Sequence, residues 1–475
     1  MAEPALTPAR IDGADIVGDE VSDVRSPYDD RVVGRVPRLT ESDIDRAVAV
    51  ALERHRGGAL HAFERAEILD RAAQLLSARL DEFARSISDE SAKPITTARV
   101  EATRAVDTIR FSAAVARTLT GEMIPLDASS AGVGKLGYVL RVPIGVVAGI
   151  SPFNFPLNLV CHKIAPAVAA GCAVVLKPAS ATPLTALRIA ALFEEAGLPP
   201  GWLNVVTVPG AVADHLVTHD DVSMITFTGS PEVGWGIRGR VPHKRVGLEL
   251  GNNAPVIIEP DGDWASAAEK ITVAGYSFAG QSCISVQRVY VHESIHEGFV
   301  AALAEHVSKL RVGDPADEAT QVSALITHKE TDRVKTWVDE ASGEGAGVVV
   351  GGTIGDDGVL QPTVLDGVRP EMKVCNTEVF GPVVGVARYS SYDEALALAN
   401  DTRYGLQAGV FTSDLGKALK AGQVLDFGGV TVNEVPTWRA DQMPYGGVRD
   451  SGNTREGPPF AVEEMTERRL VVLQG

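Results

Sequence analysis

Cys283 lies in the stretch AGQSCISVQ at residues 279–287, behind a glycine and among small polar residues. Such neighbours suit a tight, partly accessible turn, the setting of a thiolate that attacks electrophiles. Cys161 and Cys172 fall in an apolar helix and the turn after it, and read as buried structural residues. With Cys375 the four cysteines are widely spaced and form no CxxC pair, which excludes a zinc ribbon and a disulfide frame. Glu249 stands between Leu248 and Leu250. Partial desolvation there raises a carboxyl pKa toward the range of a general base.

Three other motifs promise chemistry and fail on context. HESIH at 292–296 fits the HExxH zinc pattern, but His292 follows the strand QRVYV directly. Ser294 and Glu297 form a capping box, so the helix starts after Ser294 and the two histidines cannot share a helix face. No metal site is expected. GEGAG at 343–347 precedes a strand instead of following one and reads as a surface turn. GSPEVG, Gly229 to Gly234, follows a strand and opens a helix, so its free N–H groups can face a phosphate. Ser-Pro-Glu is also a common helix-capping sequence.

Around these residues the chain alternates. Residues 41–56, 63–88 and 98–118 have helical apolar spacing. From residue 145, short apolar strands (VVAGI, AVVLK, LNVVTV, VSMITFTGS) alternate with amphipathic helices, the pattern of a parallel sheet covered on both faces. A second α/β rhythm runs from 254 to about 430, through APVIIE, RVYVHES and GVVVGG. The stretch near 119–139 and the final ERRLVVLQG belong to neither unit and read as strands that pair outside the main sheets.

Composition bounds the rest. A chain of 475 residues exceeds one core. Its net charge of −18 argues against nucleic acid and anionic membranes as partners. No basic segment leads into an apolar run at the N-terminus, and no stretch is long and apolar enough to span a bilayer, so a cytoplasmic location is expected.

Seven motifs then stand in order: SPFNFP (151–156), KPAS (177–180), FTGS (227–230), LELGNNAP (248–255), GQSC (280–283), EVFGP (378–382) and MPYGGVRDSGNTREG (443–457). Their order and spacing closely resemble the NAD(P)-dependent aldehyde dehydrogenase superfamily over nearly the whole chain. The resemblance implies a Rossmann-like cofactor domain, a catalytic α/β domain and a small β-strand oligomerisation domain. The cofactor domain would comprise 1–118 and 140–248, with 431–456 returning to it. The catalytic domain would be 249–430, and 119–139 with 457–475 would be oligomerisation arms of a homodimer or homotetramer.

The resemblance also assigns roles. Cys283 would add to an aldehyde, and the thioester left after hydride departure would be hydrolysed, which splits one hard step into two. Asn154 and the Cys283 N–H would hold the oxyanion, and Glu249 would activate the water. Lys163 and Glu456 match positions of a proton relay; the plainer alternatives are a helix lysine and a surface glutamate. Asn252 departs from a usual second glycine after Glu-Leu, and asparagine tolerates the left-handed backbone such a position can require. Lys177 would bind the adenosine ribose or a 2′-phosphate. Gly229 and Ser230 would face the pyrophosphate, and Glu378 and Phe380 the nicotinamide ribose. Ser180 stands where many NAD-specific relatives carry a glutamate, so NADP is the expected cofactor and NAD the alternative.

Alignment to the motifs puts Phe155, Asn158, His162, Ser282, Ile284, Trp438, Arg439 and Tyr445 along the substrate tunnel. Arg110 and Arg439 would pair with a substrate anion or else make structural ion pairs. The mixed lining points to a small polar aldehyde, a semialdehyde or hydroxyaldehyde. Two competing readings remain: a CoA-acylating dehydrogenase, against which Glu249 argues, and a silent NADP-binding paralogue, against which Cys283, Asn154 and Glu249 argue.

Overall fold

The computed structural model describes residues 4–475. Its centre is two seven-stranded sheets. The first runs in the order Arg245–Glu249, Val222–Thr228, Val146–Ile150, Val174–Lys177, Leu203–Val205, Ala9–Ile11, Ala14–Ile16. Its first five strands are parallel, and the N-terminal pair adds antiparallel at the edge. Every residue of Val146–Ile150 and of Val174–Lys177 is buried, as apolar runs covered by helices on both faces must be.

The second sheet runs Gly347–Val350, Thr363–Asp366, Val383–Tyr389, Arg288–His292, Pro255–Ile258, Gln407–Phe411, Gly429–Val432, parallel except at the first pair. The first sheet ends its last strand at Glu249 and the second begins at Pro255. The turn between them is therefore the seam of the molecule. After Val432 the chain crosses back: Asn453 Oδ1 accepts from the Leu248 N–H at 2.9 Å and the Leu250 N–H donates to the Ser451 carbonyl.

A three-stranded antiparallel sheet stands apart, built from Glu122–Ile124, Lys135–Pro143 and Thr466–Gln474. Leu136, Leu140 and Leu473 are exposed on one of its faces, and Leu470 and Val472 on the other. The boundary drawn from sequence at 139/140 falls inside its middle strand. Residues 458–465 also differ from an arm. Pro458–Glu464 is a helix packed on Asn158–Ala170, and Val462 and Met465 join the first core.

Local differences have local causes. The helix read at 63–88 is two, Ala62–Ala78 and Leu80–Ser91, broken at Arg79 where φ is −121°. The third begins at Ile95, just after Pro94. The Ser294 capping box does not form: His292 Nδ1 takes the Ser294 hydroxyl, and the helix starts at His296. The two histidines are thus kept apart, and no metal-binding group of side chains occurs among the described residues. No helix among the described residues is long and apolar enough to cross a membrane.

Candidate active site

The segment 151–158 links a strand of the first sheet to the buried helix Asn158–Ala170. It is held from behind by Lys93 and Glu101, an ion pair with both side chains fully buried. Glu101 Oε1 accepts from the Leu157 and Asn158 N–H groups at 2.9 and 3.1 Å. Lys93 Nζ donates to the Asn154 carbonyl at 2.6 Å and lies over the rings of Phe155 and Phe278. The Asn154 amide then donates to the Gln281 carbonyl at 2.8 Å, which aims it at the cysteine turn.

That turn is strained. Phe278 and Ala279 have φ of 50° and 53°, and Gly280 follows at 71°. A Cβ at Gly280 would lie 2.1 Å from the Gly381 carbonyl, so only glycine fits. Ser285 N–H closes a turn onto the Ser282 carbonyl, leaving the Cys283 N–H without a backbone acceptor among the described residues. Cys283 is part-buried, and its Sγ lies 3.1 Å from the Tyr445 hydroxyl.

Glu249 ends the last strand of the first sheet, 5% exposed, and neither carboxyl oxygen has a hydrogen-bond partner. Burial pushes its pKa well above the usual range, and nearby Glu456 adds to the effect. Glu456 behaves oppositely. Burial opposes its ionisation, but His162, Arg439 and Lys163 outweigh that and hold its carboxyl below the usual range. Arg439 Nη2 donates to Glu456 at 3.0 Å, and Lys163 Nζ stands 3.9 Å from its other oxygen. Lys163, 1% exposed, also donates to Thr228 at 2.7 Å.

Two spaces meet at Cys283 and Glu249. The larger is a cleft of about 640 Å³ at the carboxyl ends of the first sheet, the usual ligand crevice of such sheets. It holds Lys177, Ser180, Gly229, Ser230, Glu378 and Phe380. Ser230 caps the helix Pro231–Arg240, accepting from the Val233 N–H. The Lys177 side chain is mostly buried with no carboxylate partner among the described residues, and desolvation lowers its pKa. Glu378 accepts from the Asn252 N–H at 3.0 Å, and burial raises it to about 8. A cleft of this size lined by the Lys177 amine, a helix N-terminus and the thiol fits a dinucleotide. The smaller space is a narrow chamber lined by Phe155, Asn158, Ser282, Ile284, Arg439 and Tyr445, with Arg104 at its wall.

The aldehyde dehydrogenase family model matches residues 16–471. The chain belongs to the aldehyde dehydrogenase family. It oxidises an aldehyde to a carboxylic acid with a nicotinamide dinucleotide. The 3-sulfolactaldehyde dehydrogenase of Priestia aryabhattai is 46% identical over 96% of this chain and 95% of its own. Aldehyde dehydrogenase 21 of Physcomitrella patens, solved with its reaction product succinate, superposes with a TM-score of 0.96 at 38% identity, covering 100% of this chain and 99% of that one. The NADP complex of NADP-dependent glyceraldehyde-3-phosphate dehydrogenase from Bacillus halodurans gives 0.96 at 34% identity, covering 99% of each.

Four expectations about this dehydrogenase need correcting. Arg110 lines neither space: it is exposed and pairs with Asp107 on its own helix. Six positions advance a helix by about 240°, so Arg110 faces away from Arg104, which does reach the chamber and grips Asp441 with two hydrogen bonds. Trp438 is 54% exposed and lines neither space. His162 is fully buried behind the chamber, 3.0 Å from Asp441 and from Arg439 Nη2, and burial lowers its pKa. Asn252 has no left-handed backbone. Its amide instead donates to the Gln407 carbonyl of the second sheet at 3.2 Å.

Sequence reasoning also missed Lys93, Glu101, Arg104 and Asp441. No local motif marks any of the four; Arg104 lies one turn before Thr108, whose hydroxyl donates to Asn158 Oδ1 at 2.8 Å.

The raised pKa of Glu249 sets a pH dependence. In the unfolded chain a glutamate ionises near about pH 4.3, whereas Glu249 keeps its proton above that in the folded enzyme. The unfolded state therefore binds fewer protons over that interval, and stability falls as pH rises through it. Glu249→Gln removes this penalty. We expect a higher Tm than wild type at alkaline pH, the difference closing toward pH about 4, together with lost turnover. Equal Tm values at alkaline pH would contradict it.

Proposed function

We propose that this enzyme oxidises a small anionic hydroxyaldehyde or semialdehyde on Cys283, with NADP as the preferred cofactor. The observation that carries the substrate class is Arg439. Its side chain lines the chamber beside Cys283 and is 5% exposed, and its Nε, 3.8 Å from Asp441 Oδ1, has no hydrogen-bond partner among the described residues. Arg104 and Arg439 both line the chamber, and they pair with Asp441 and Glu456. Two guanidinium groups at the wall suit a carboxylate, phosphate or sulfonate. The relatives support this: one is named for 3-sulfolactaldehyde and another holds succinate.

In this reading the Cys283 thiol loses its proton to water, and Sγ bonds to the aldehyde carbon as the carbonyl π pair moves onto its oxygen. The Asn154 amide and the Cys283 N–H donate to that oxygen, each such donor giving about 3–4 kcal/mol. NADP in the large cleft supplies the hydride acceptor. Glu249, once ionised, takes a proton from water as the water oxygen bonds to the thioester carbon and Sγ leaves with its electron pair. Glu456 and Lys163 pass that proton outward. Glu378 and Phe380 orient the ribose end of the cofactor.

Turnover is tested with lactaldehyde, 3-sulfolactaldehyde, succinic semialdehyde, glyceraldehyde 3-phosphate and a short alkanal. A charge-assisted contact is worth about 1.5–3 kcal/mol, so an anionic aldehyde should lead by about 10- to 100-fold in kcat/KM. Arg439→Met should erase that lead, and Cys283→Ala should abolish turnover of all. A neutral alkanal preferred by wild type, or an unchanged ratio in Arg439→Met, would sink the anionic reading.

Preference for NADP rests on Ser180, which lines the cleft beside Lys177 and brings no negative charge. Ser180→Glu should lower kcat/KM for NADP at least about tenfold relative to NAD, like charge repelling the 2′-phosphate. An unaltered ratio would place the selectivity elsewhere.

The apolar faces of the three-stranded sheet support a homo-oligomer, dimer or tetramer, with this sheet as an intersubunit arm. Leu470→Asp should lower the mass measured by sedimentation; a wild-type chain sedimenting as a monomer would rule the arm out.

A further inference from the structure

Tyr445 is the side chain in hydrogen-bond contact with the Cys283 sulfur, its hydroxyl 3.1 Å from Sγ and without a second partner among the described residues. The ring is 3% exposed and packs with Ile284 and Leu406, and the Arg439 guanidinium stacks on it at 3.8 Å. Its backbone is pinned as well: the Tyr445 carbonyl accepts from the Glu456 N–H at 2.7 Å. At the next residue, Gly446, a Cβ would meet the Thr454 carbonyl at 2.0 Å. The hydroxyl therefore cannot swing away from the sulfur without moving this segment.

The electrostatics give the contact a direction. Burial pushes the Cys283 thiol up to about 12, and the carboxyls of Glu378 and Glu249 act the same way, while the Tyr445 hydrogen bond and Arg439 oppose them. Burial also keeps the Tyr445 phenol protonated, with Cys283 and Glu249 adding to the effect and Arg439 opposing it. When the sulfur ionises, the tyrosine is thus the donor and the thiolate the acceptor.

We propose that Tyr445 is a further catalytic residue, its hydroxyl donating to Cys283 Sγ to hold the attacking thiolate and to receive it again as the thioester's leaving group. This rests on Cys283 being the nucleophile, not on the choice of aldehyde. The phenolic proton stays on oxygen throughout. As the sulfur electron pair becomes the S–C bond the hydrogen bond weakens, and it reforms when that bond breaks.

The test is the pH dependence of Cys283 alkylation by iodoacetamide, followed by mass spectrometry in wild type and Tyr445→Phe. Cys161, Cys172 and Cys375 are buried, so the reagent reports on Cys283. Phenylalanine keeps the ring and removes the donor. The alkylation midpoint should rise by about one unit, and the rate at neutral pH should fall about tenfold, with NADP affinity unchanged as the check on folding. Incorporating difluorotyrosine at 445, a stronger donor of similar shape, should move the midpoint down. A midpoint equal to wild type in both proteins would overturn the proposal, because a packing role would leave it in place. Alkylation needs neither aldehyde nor cofactor, so failure of the substrate reading does not touch this result. Wild-type enzyme that is fully alkylated at Cys283 yet still turns over would overturn the nucleophile assignment itself, and this proposal with it.

Discussion

Lys93 and Glu101 form an ion pair in a place water does not reach, and each is tolerable there only because of the other. Removing one partner of such a pair costs about 3–5 kcal/mol, because the survivor is left uncompensated. What the pair holds explains why that risk is kept. Glu101 fixes the N–H groups that open the helix at Asn158, and Lys93 fixes the Asn154 carbonyl while facing the Phe278 ring of the cysteine turn. Asn154 and Cys283 belong to segments of different sheets, yet both segments are referenced to one buried lysine. A hydrophobic pair of the same volume would pack as well without fixing that separation.

The second constraint is electrostatic. Glu249 and Glu456 lie close enough to affect each other and are driven in opposite directions, one toward the neutral acid and the other toward the carboxylate. In the proposed reaction such divergence would let one carboxyl take a proton and the other pass it on. It is sustained by unequal surroundings. Glu249 has no hydrogen-bond partner, whereas Glu456 has Arg439 and Lys163 beside it. The orphaned oxygens of Glu249 and the left-handed Phe278–Ala279 pair both weaken the fold, and both sit where the chemistry is.

The alternation of apolar strands and amphipathic helices was legible because buried parallel strands leave no choice of residue type. The motifs around Cys283, Glu249 and Lys177 were legible because each needs a particular side chain at a particular turn. The rest depended on distances that no local pattern encodes. Lys93 and Glu101 look like surface charges until the loop from 151 closes over them. Arg110 and Arg104 differ only in helix phase, which one apolar stripe of alanines does not fix sharply. Asn252 invited a backbone explanation, but its side chain ties the turn between the sheets to the second sheet. His162 aligned with a lining position, but Asp441 pulled it into the wall.

Arg439 joins these parts. Its guanidinium donates to Glu456, stacks on the Tyr445 ring and brings its Nε within 3.8 Å of Asp441. A single cation therefore touches both the Glu456 carboxylate and the Tyr445 ring. In the proposed function, an anion bound beside this guanidinium would draw positive charge away from both at once. Recognition of the far end of the substrate would then be felt at Glu456 and at the sulfur. Effects of changes at Arg439, Tyr445 and Glu456 cannot then be additive, because each residue sets the field in which the others act.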